Sequence, residues 1–311
     1  MTPIDFDAKF RLHIDKILEG MDKNEEEIAK LEESVPDLYI EWLDTPQDFL
    51  QGRTPNAYFY EMDAKGLTTL LQDYIEAGME LPEPLLNAIP TKGEEAARLL
   101  LKMAEEADTR FTDDDMKEHM LVVAIDMLTE METNIHKQLC LDIIAKMQGP
   151  DELSDTADDA LFFMGEEEVK EPLLQLLNST DNVHCARCCA DILSEFQDER
   201  IYQKLVDLFH EDREGRVVLA SILGKYGNDL AIPVLLEALD DPALTYYEYM
   251  AIKNAAEELG ADGIPEIPFD GDKDYDKMKD MNADIDIVPE QPLEEADKMK
   301  VIDDGVDTGM G

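Results

Sequence analysis

The chain is short of positive charge: its 311 residues hold 27 Lys+Arg against 74 Asp+Glu, a formal net charge of −47. A surface of that sign repels phosphate backbones and anionic headgroups, so neither a nucleic-acid nor a membrane partner is expected. Cysteine is scarce, with Cys140 alone and Cys185, Cys188 and Cys189 together. That is not the spaced framework of a small disulfide-stapled secreted domain. No apolar run approaches the roughly 18 residues a membrane helix needs. The opening MTPIDFDAKF lacks the basic and apolar regions of a secretory signal. A reduced, cytoplasmic setting is therefore expected. Motifs that carry chemistry are also missing: there is no G-x-x-x-x-G-K-[ST], G-x-G-x-x-G, H-E-x-x-H or G-x-S-x-G. No catalytic or cofactor-binding residue is assigned, and no cofactor is expected.

Apolar residues at helical spacing are abundant. Phe6, Phe10, Ile14 and Ile17 line one face of an amphipathic helix. Thr54 before Pro55 reads as an N-cap followed by proline at the first helical position, Gly52 as a tight turn and Gly78 as a helix end. Residues 1–92 thus form an N-terminal helical region, with Trp42 as its aromatic anchor.

A repeat follows over 93–265. A small residue, a leucine four later and a glycine four after that occur as Ala157, Leu161, Gly165 and as Ala255, Leu259, Gly263; Leu219, Leu223, Gly227 repeat the frame with leucine in the first slot. Cys189 and Leu193 share the frame, but Gln197 stands in the glycine slot; Ala124 and Leu128 form an earlier, degenerate copy. The leucines Leu128, Leu161, Leu193, Leu223 and Leu259 are spaced by 33, 32, 30 and 36 residues. A period of that length with two helices per unit predicts an all-α fold of stacked hairpins, an α-solenoid whose first helical region acts as a cap. In this plan the small residue allows close helix approach and the glycine ends the first helix in a left-handed conformation. Pro172 and Pro233 open the second helix. Residues 266–311 read as an acidic, solvated tail: from 262 onward there are sixteen acids against five lysines. Within it the alternation Asp284-Ile285-Asp286-Ile287-Val288 has the pattern of an extended segment.

GRVVLASILGKYGNDLAIPVLLEALDD resembles a HEAT repeat of the short bacterial and archaeal type, the kind also found in phycobilin lyases. The resemblance covers roughly residues 115–265 and implies that second helices near 168–178, 199–210 and 230–239 line a concave face. It specifies a fold more than an activity, since the fold hosts scaffolds, lyases and hydroxylases. A shorter echo, Trp42-Leu43 through Gly52-Arg53-Thr54-Pro55, resembles the C-terminal segment of some toxin-neutralising antitoxins and reads equally as a turn between packed helices.

Four side chains are candidate soft-metal ligands: His184, Cys185, Cys188 and Cys189. On a helix His184 and Cys188 share one face and Cys185 and Cys189 another. Cys189 fills the slot of Ala157 and Ala255, so packing as a small hydrophobe is the favoured reading. Asp270, Asp272, Asp274 and Asp276 alternate, but no frame gives the glycine and glutamate of a calcium loop. His210-Glu211 resembles the His–Glu pairs of di-iron HEAT-repeat hydroxylases; those carry several pairs and this chain has one. The acidic runs 25–27, 113–115 and 166–168 suit solvated faces and helix N-termini, or a surface for a basic partner. The function these features favour is a non-enzymatic protein-interaction scaffold. The alternative is a tetrapyrrole-lyase-like or metal-dependent enzyme on the same repeats.

Overall fold

The computed structural model describes residues 2–21 and 24–285, and among them every regular element is helical. The first half holds α1 (Phe6–Gly20), α2 (Glu25–Leu43), α3 (Pro55–Tyr60), α4 (Ala64–Glu76), α5 (Glu83–Ala88), α6 (Glu94–Glu105), α7 (Ala107–Arg110) and α8 (Asp114–Glu130). The second holds α9 (Lys137–Lys146), α10 (Glu152–Met164), α11 (Glu166–Ser179), α12 (Val183–Glu195), α13 (Tyr202–Glu211), α14 (Arg216–Tyr226), α15 (Ile232–Ala238), α16 (Tyr246–Glu258) and α17 (Lys273–Ile285).

Packing follows chain order. Helices α4, α6, α8, α10, α12, α14 and α16 form a row in which each lies against the next. Helices α9, α11, α13 and α15 form a second layer, packed on α10, α12, α14 and α16 respectively. Ala124, Ala157, Cys189, Leu219 and Ala255 are all buried along that row, as are Leu128, Leu161, Leu193 and Leu223. The close approach expected of the small residues is visible between α14 and α16, where a Cβ added to Gly224 would sit 3.0 Å from Ala255 Cα.

The ends of these helices share positive φ but not one turn: Gly227 is left-handed, with ψ 16°, whereas Gly165 combines its positive φ with an extended ψ of 162°, outside the left-handed conformation expected of it. The chain passes through positive φ after α8 at Glu132 (52°), after α10 at Gly165 (85°), after α12 at Gln197 (50°) and after α14 at Gly227 (77°). Gln197 thus adopts the conformation its slot demands despite carrying a side chain. The last unit corrects the frame. Helix α16 ends at Glu258, Gly260 takes the positive φ (96°), and Leu259 is the half-buried C-cap. The buried leucine slot is filled by Ala256, 33 residues after Leu223, rather than by Leu259.

Pro233 does open α15. Pro172 does not open α11, because Gly165 makes the turn and Glu166–Glu168 already form the first helical turn. Pro172 sits inside the helix.

In the N-terminal region Phe6 is ringed by Trp42, Phe49, Tyr58 and Phe59, with centroids 6.3, 6.1, 6.5 and 5.2 Å away. Tyr74 of α4 fixes the chain before α1: its hydroxyl donates to the Ile4 carbonyl at 2.6 Å and accepts from the Ile4 N–H at 3.1 Å. The boundary expected at 92/93 is a turn rather than a seam. Leu67 and Leu71 of α4, Leu100 and Met103 of α6, and Ala124 and Leu128 of α8 share one core. A second core begins within α8 at Ile125 and runs to Phe269. Residues 266–278, expected to begin a solvated tail, instead close the far end of that core. Phe269 is buried between Tyr246 and Tyr249, at centroid distances of 5.7 and 5.2 Å, and the Tyr249 hydroxyl donates to the Pro265 carbonyl. Residues 286–311, with most of the Asp284–Val288 alternation, lie outside the described residues.

Candidate functional site

Helices α11, α13 and α15 cover the stretches 168–178, 199–210 and 230–239, the last two with a short 3-10 turn in front. Between α9 and α11 is a groove of about 590 Å³, lined by Lys137, Gln138, Leu141, Glu171, Gln175 and Arg200 among others. Its two cations are already engaged. Lys137 binds the Glu168 carboxylate at 2.8 Å, and Arg200 binds Glu171 at 2.8 Å and Asp198 at 2.6 Å. Arg200 holds Asp198 far below the usual carboxylate range, with further help from Lys170. Asp207 and Glu211 on α13 meet no cation among the described residues, and Asp207 is exposed.

The same pattern holds across the molecule. Each of the eight arginines is in an ion pair: Arg11 with Asp7, Arg53 with Glu61, Arg98 with Glu94, Arg110 with Glu76, Arg187 with Asp212, Arg200 with Asp198, Arg213 and Arg216 with Asp241. The arginines are thus engaged within the molecule, several of them at its surface, and carboxylates remain in large excess over cations.

The Cys–His cluster sits on α12 and divides as its spacing requires. Cys185 and Cys189 are buried in the second core, while His184 and Cys188 line a cleft of about 270 Å³ with Asp155, Asp158, Arg187 and Asp191. Cys188 donates to Asp158 Oδ1 at 3.0 Å. Burial pushes Asp158 up to about 6, against the pull of that hydrogen bond. Burial, then the charge of Asp158, holds the Cys188 thiol well above its ordinary range, so it stays a protonated donor. Arg187, also in the lining, grips Asp212 through two hydrogen bonds. Among the described residues no group of three or more His, Cys, Asp and Glu converges as metal ligands would.

The aspartate series after Phe269 has structural work to do. Asp272 caps α17, accepting from the N–H groups of Asp274 and Tyr275 at 2.9 and 3.2 Å, and accepts from the Tyr246 N–H at 3.2 Å. Asp270 and Asp274 pair with Lys279 and Lys277. Asp113 caps α8, and the runs 113–115 and 166–168 lie at the N-termini of α8 and α11. Thr54 caps α3 with Pro55 behind it, so the Trp42–Pro55 stretch is a turn between packed helices. His210 and Glu211 are the last residues of α13.

Sequence reasoning passed over His136, one of five scattered histidines. It is fully buried, its Nδ1 has no hydrogen-bond partner, and burial pushes it down to about 4. No spacing signal marks it, because the groups around it come from two helices and a loop. Among the described residues no helix is long and apolar enough to cross a membrane. No known family model matches the chain, and no curated protein matches it.

Proposed function

We propose that the chain is an α-solenoid of HEAT-like hairpins that acts as a non-enzymatic scaffold, holding a basic protein partner against its second-helix face. The observation that carries this reading is the engagement of every arginine in an intramolecular ion pair while carboxylates remain in large excess. A surface of that kind steers a basic partner from a distance and rejects acidic ones. Serial packing of α10, α12, α14 and α16, with α9, α11, α13 and α15 as a second layer, supports the repeat architecture. Four free thiols support a reducing, cytoplasmic setting.

The test is titration with a short fluorescent Lys-Ala peptide at low and high salt, using arginine substitutions on the two layers. Gln175→Arg with Asp207→Arg on the second helices is expected to weaken binding at least tenfold. Asp155→Arg on α10 is expected to leave it within twofold. Equal loss from both, or no binding at low salt, overturns the proposal. Raising the salt to 1 M shrinks the screening length to about 3 Å and is expected to abolish binding.

A further inference from the structure

Most large apolar side chains lie in the two cores, but one edge of the molecule departs from that rule. It is made by the turns that leave successive first-layer helices: 131–136 after α8, Gly165 after α10, 196–201 after α12 and 227–231 after α14. Connecting turns run through water and are ordinarily polar. Here Phe163, at the end of α10, is 72% exposed, and Leu230, after α14, is 64% exposed. Phe162 and Ile135 are exposed as well.

Contacts between neighbouring turns join these groups into one strip. Phe162 meets Phe163 edge-on at 6.1 Å and lies parallel to Phe196, the C-cap of α12, at 6.5 Å with ring planes 2° apart. From that second turn the Asp198 carbonyl accepts from the hydroxyl of Tyr226, the last residue of α14, at 3.1 Å, and Tyr226 stacks on Tyr202. On the other side Phe163 shares a cavity wall with Glu132 and Asn134 of the loop after α8. The polar groups between the rings have one sign. Glu132, Glu167, Glu199 and Asp229, one near each turn, are exposed and meet no cation among the described residues. Cations near the strip are already engaged: Lys170 with Glu166, Arg200 with Asp198 and Lys225 with Glu195, each at 2.6 Å.

The occupant follows from charge and backbone chemistry. A second copy of the chain brings the same net charge of −47 and is repelled. The turns of a helical edge offer no row of unpaired N–H and C=O groups, so an extended segment has nothing to pair with. A segment that lays apolar side chains on the strip must satisfy its own backbone, which a helix does. Helices in contact pack about 8–10 Å apart. Residues i and i+7 of an α-helix are about 10.5 Å apart, so one apolar residue per heptad meets one turn of the strip after another.

We propose that this strip docks a basic amphipathic helix of a partner protein. Its apolar stripe lies on Phe162, Phe163, Phe196 and Leu230, and its lysines or arginines lie over the carboxylates of the turns. The strip runs along the turns and not along the second-helix face, so it adds a contact surface to the scaffold reading and does not depend on it.

The probe is a fluorescent three-heptad peptide of lysine and alanine with leucine at the a and d positions. It is titrated against the full chain carrying Gln175→Arg and Asp207→Arg, which removes binding on the second-helix face. Saturable binding at physiological salt is expected. Adding Phe163→Ser with Leu230→Ser is expected to weaken it at least tenfold; both positions are exposed, so the fold is kept, which circular dichroism checks. A peptide of the same composition with its leucines shuffled out of the stripe is expected to bind at least tenfold more weakly. So is a striped peptide with proline at its centre, which cannot stay helical. No saturable binding of the striped peptide, binding unchanged by the two serines, or equal affinity for the shuffled or proline peptide overturns the proposal. The Lys-Ala peptide, which has no apolar stripe, keeps the two readings apart. If it binds the parent chain while the striped peptide fails, the strip is lost and the scaffold stands; the reverse pattern removes the scaffold alone.

Discussion

Lys137 reaches from α9 to the main-chain carbonyl of Glu168 on α11, Nζ to O 3.3 Å, and to the carboxylate of the same residue at 2.8 Å. That carbonyl is the acceptor an N–H at position 172 would use, and Pro172 has none. A cation from the neighbouring helix therefore replaces the missing helical hydrogen bond, which is how α11 continues through a proline.

The two residues should behave as a coupled pair. Lys137→Met is expected to destabilise the protein by about 1 kcal/mol, since it leaves the carbonyl to water and removes a charge-assisted bond. In a Pro172→Ala background the helix closes its own bond, and the same lysine change is expected to cost only a few tenths, the worth of an exposed ion pair. Urea denaturation of the four chains in the cycle measures the coupling. Equal costs in both backgrounds would show that Lys137 does not serve that carbonyl.

Gln197 is the position where a side chain is carried in a glycine's conformation, at φ 50° on an exposed turn. Gln197→Gly removes left-handed strain of about 1–2 kcal/mol and gives back part of it as unfolded-chain entropy. A net gain of up to about 1 kcal/mol is expected, read as a rise in Tm of about 2–4 °C. Gly227→Ala, at φ 77°, is the converse and is expected to lower it by a similar amount. If the two substitutions shift Tm in the same direction, the shared turn conformation is wrong for one of them.

These turns show how far the sequence could be read. The helix-ending frame was legible because a turn that requires positive φ selects glycine, and three of its copies carry one. Gln197 looked like a break in the repeat, but burial of Cys189 and Leu193 outweighs about 1 kcal/mol of local strain. The last unit was misplaced by three residues because Gly260 and Gly263 both offer a turn; only burial, of Ala256 rather than Leu259, separates them. Phe269 was read as tail because its flanks are acidic. Composition weighed the aspartates as charge, whereas Asp272 serves as a cap that ties α17 to Tyr246. His136 left no trace at all, since an unpartnered atom is a property of three-dimensional surroundings.

Gly215 stands where no side chain fits. Its φ is −88°, ordinary for any residue, but a Cβ there would collide with Arg187 and with Asp212. The Arg187–Asp212 pair is almost fully buried, so forcing it apart strands two charges. Gly215→Ala is expected to cost about 3 kcal/mol. In an Arg187→Met, Asp212→Leu background, where the pair no longer exists, the same alanine is expected to cost less than about 1 kcal/mol. Denaturant midpoints in both backgrounds decide it, and an equal cost in each would assign the effect to the backbone.

The buried imidazole of His136 should leave a signature in the pH dependence of stability. Burial pushes it from an ordinary 6.5 down to about 4, so the folded protein keeps it neutral over a range where the unfolded chain binds a proton. Between pH 7 and 5 the unfolded state therefore holds more protons, and stability falls as the pH is lowered. One group of this kind accounts for a loss of about 2 kcal/mol across that window. Depressed carboxylates such as Asp198 lose their stabilising charge only at lower pH, whereas Asp158, pushed up to about 6, titrates within the window with the opposite sign, so the histidine is isolated by the difference between parent and variant. His136→Phe removes the titrating group, although it also costs the contact with Thr129. Its stability at pH 7 is expected to be lower than that of the parent chain, and its loss between pH 7 and 5 smaller by about 2 kcal/mol. Urea titrations of both proteins at the two pH values give the difference of differences. Parallel curves would mean that the imidazole is solvated and free to protonate in the folded state.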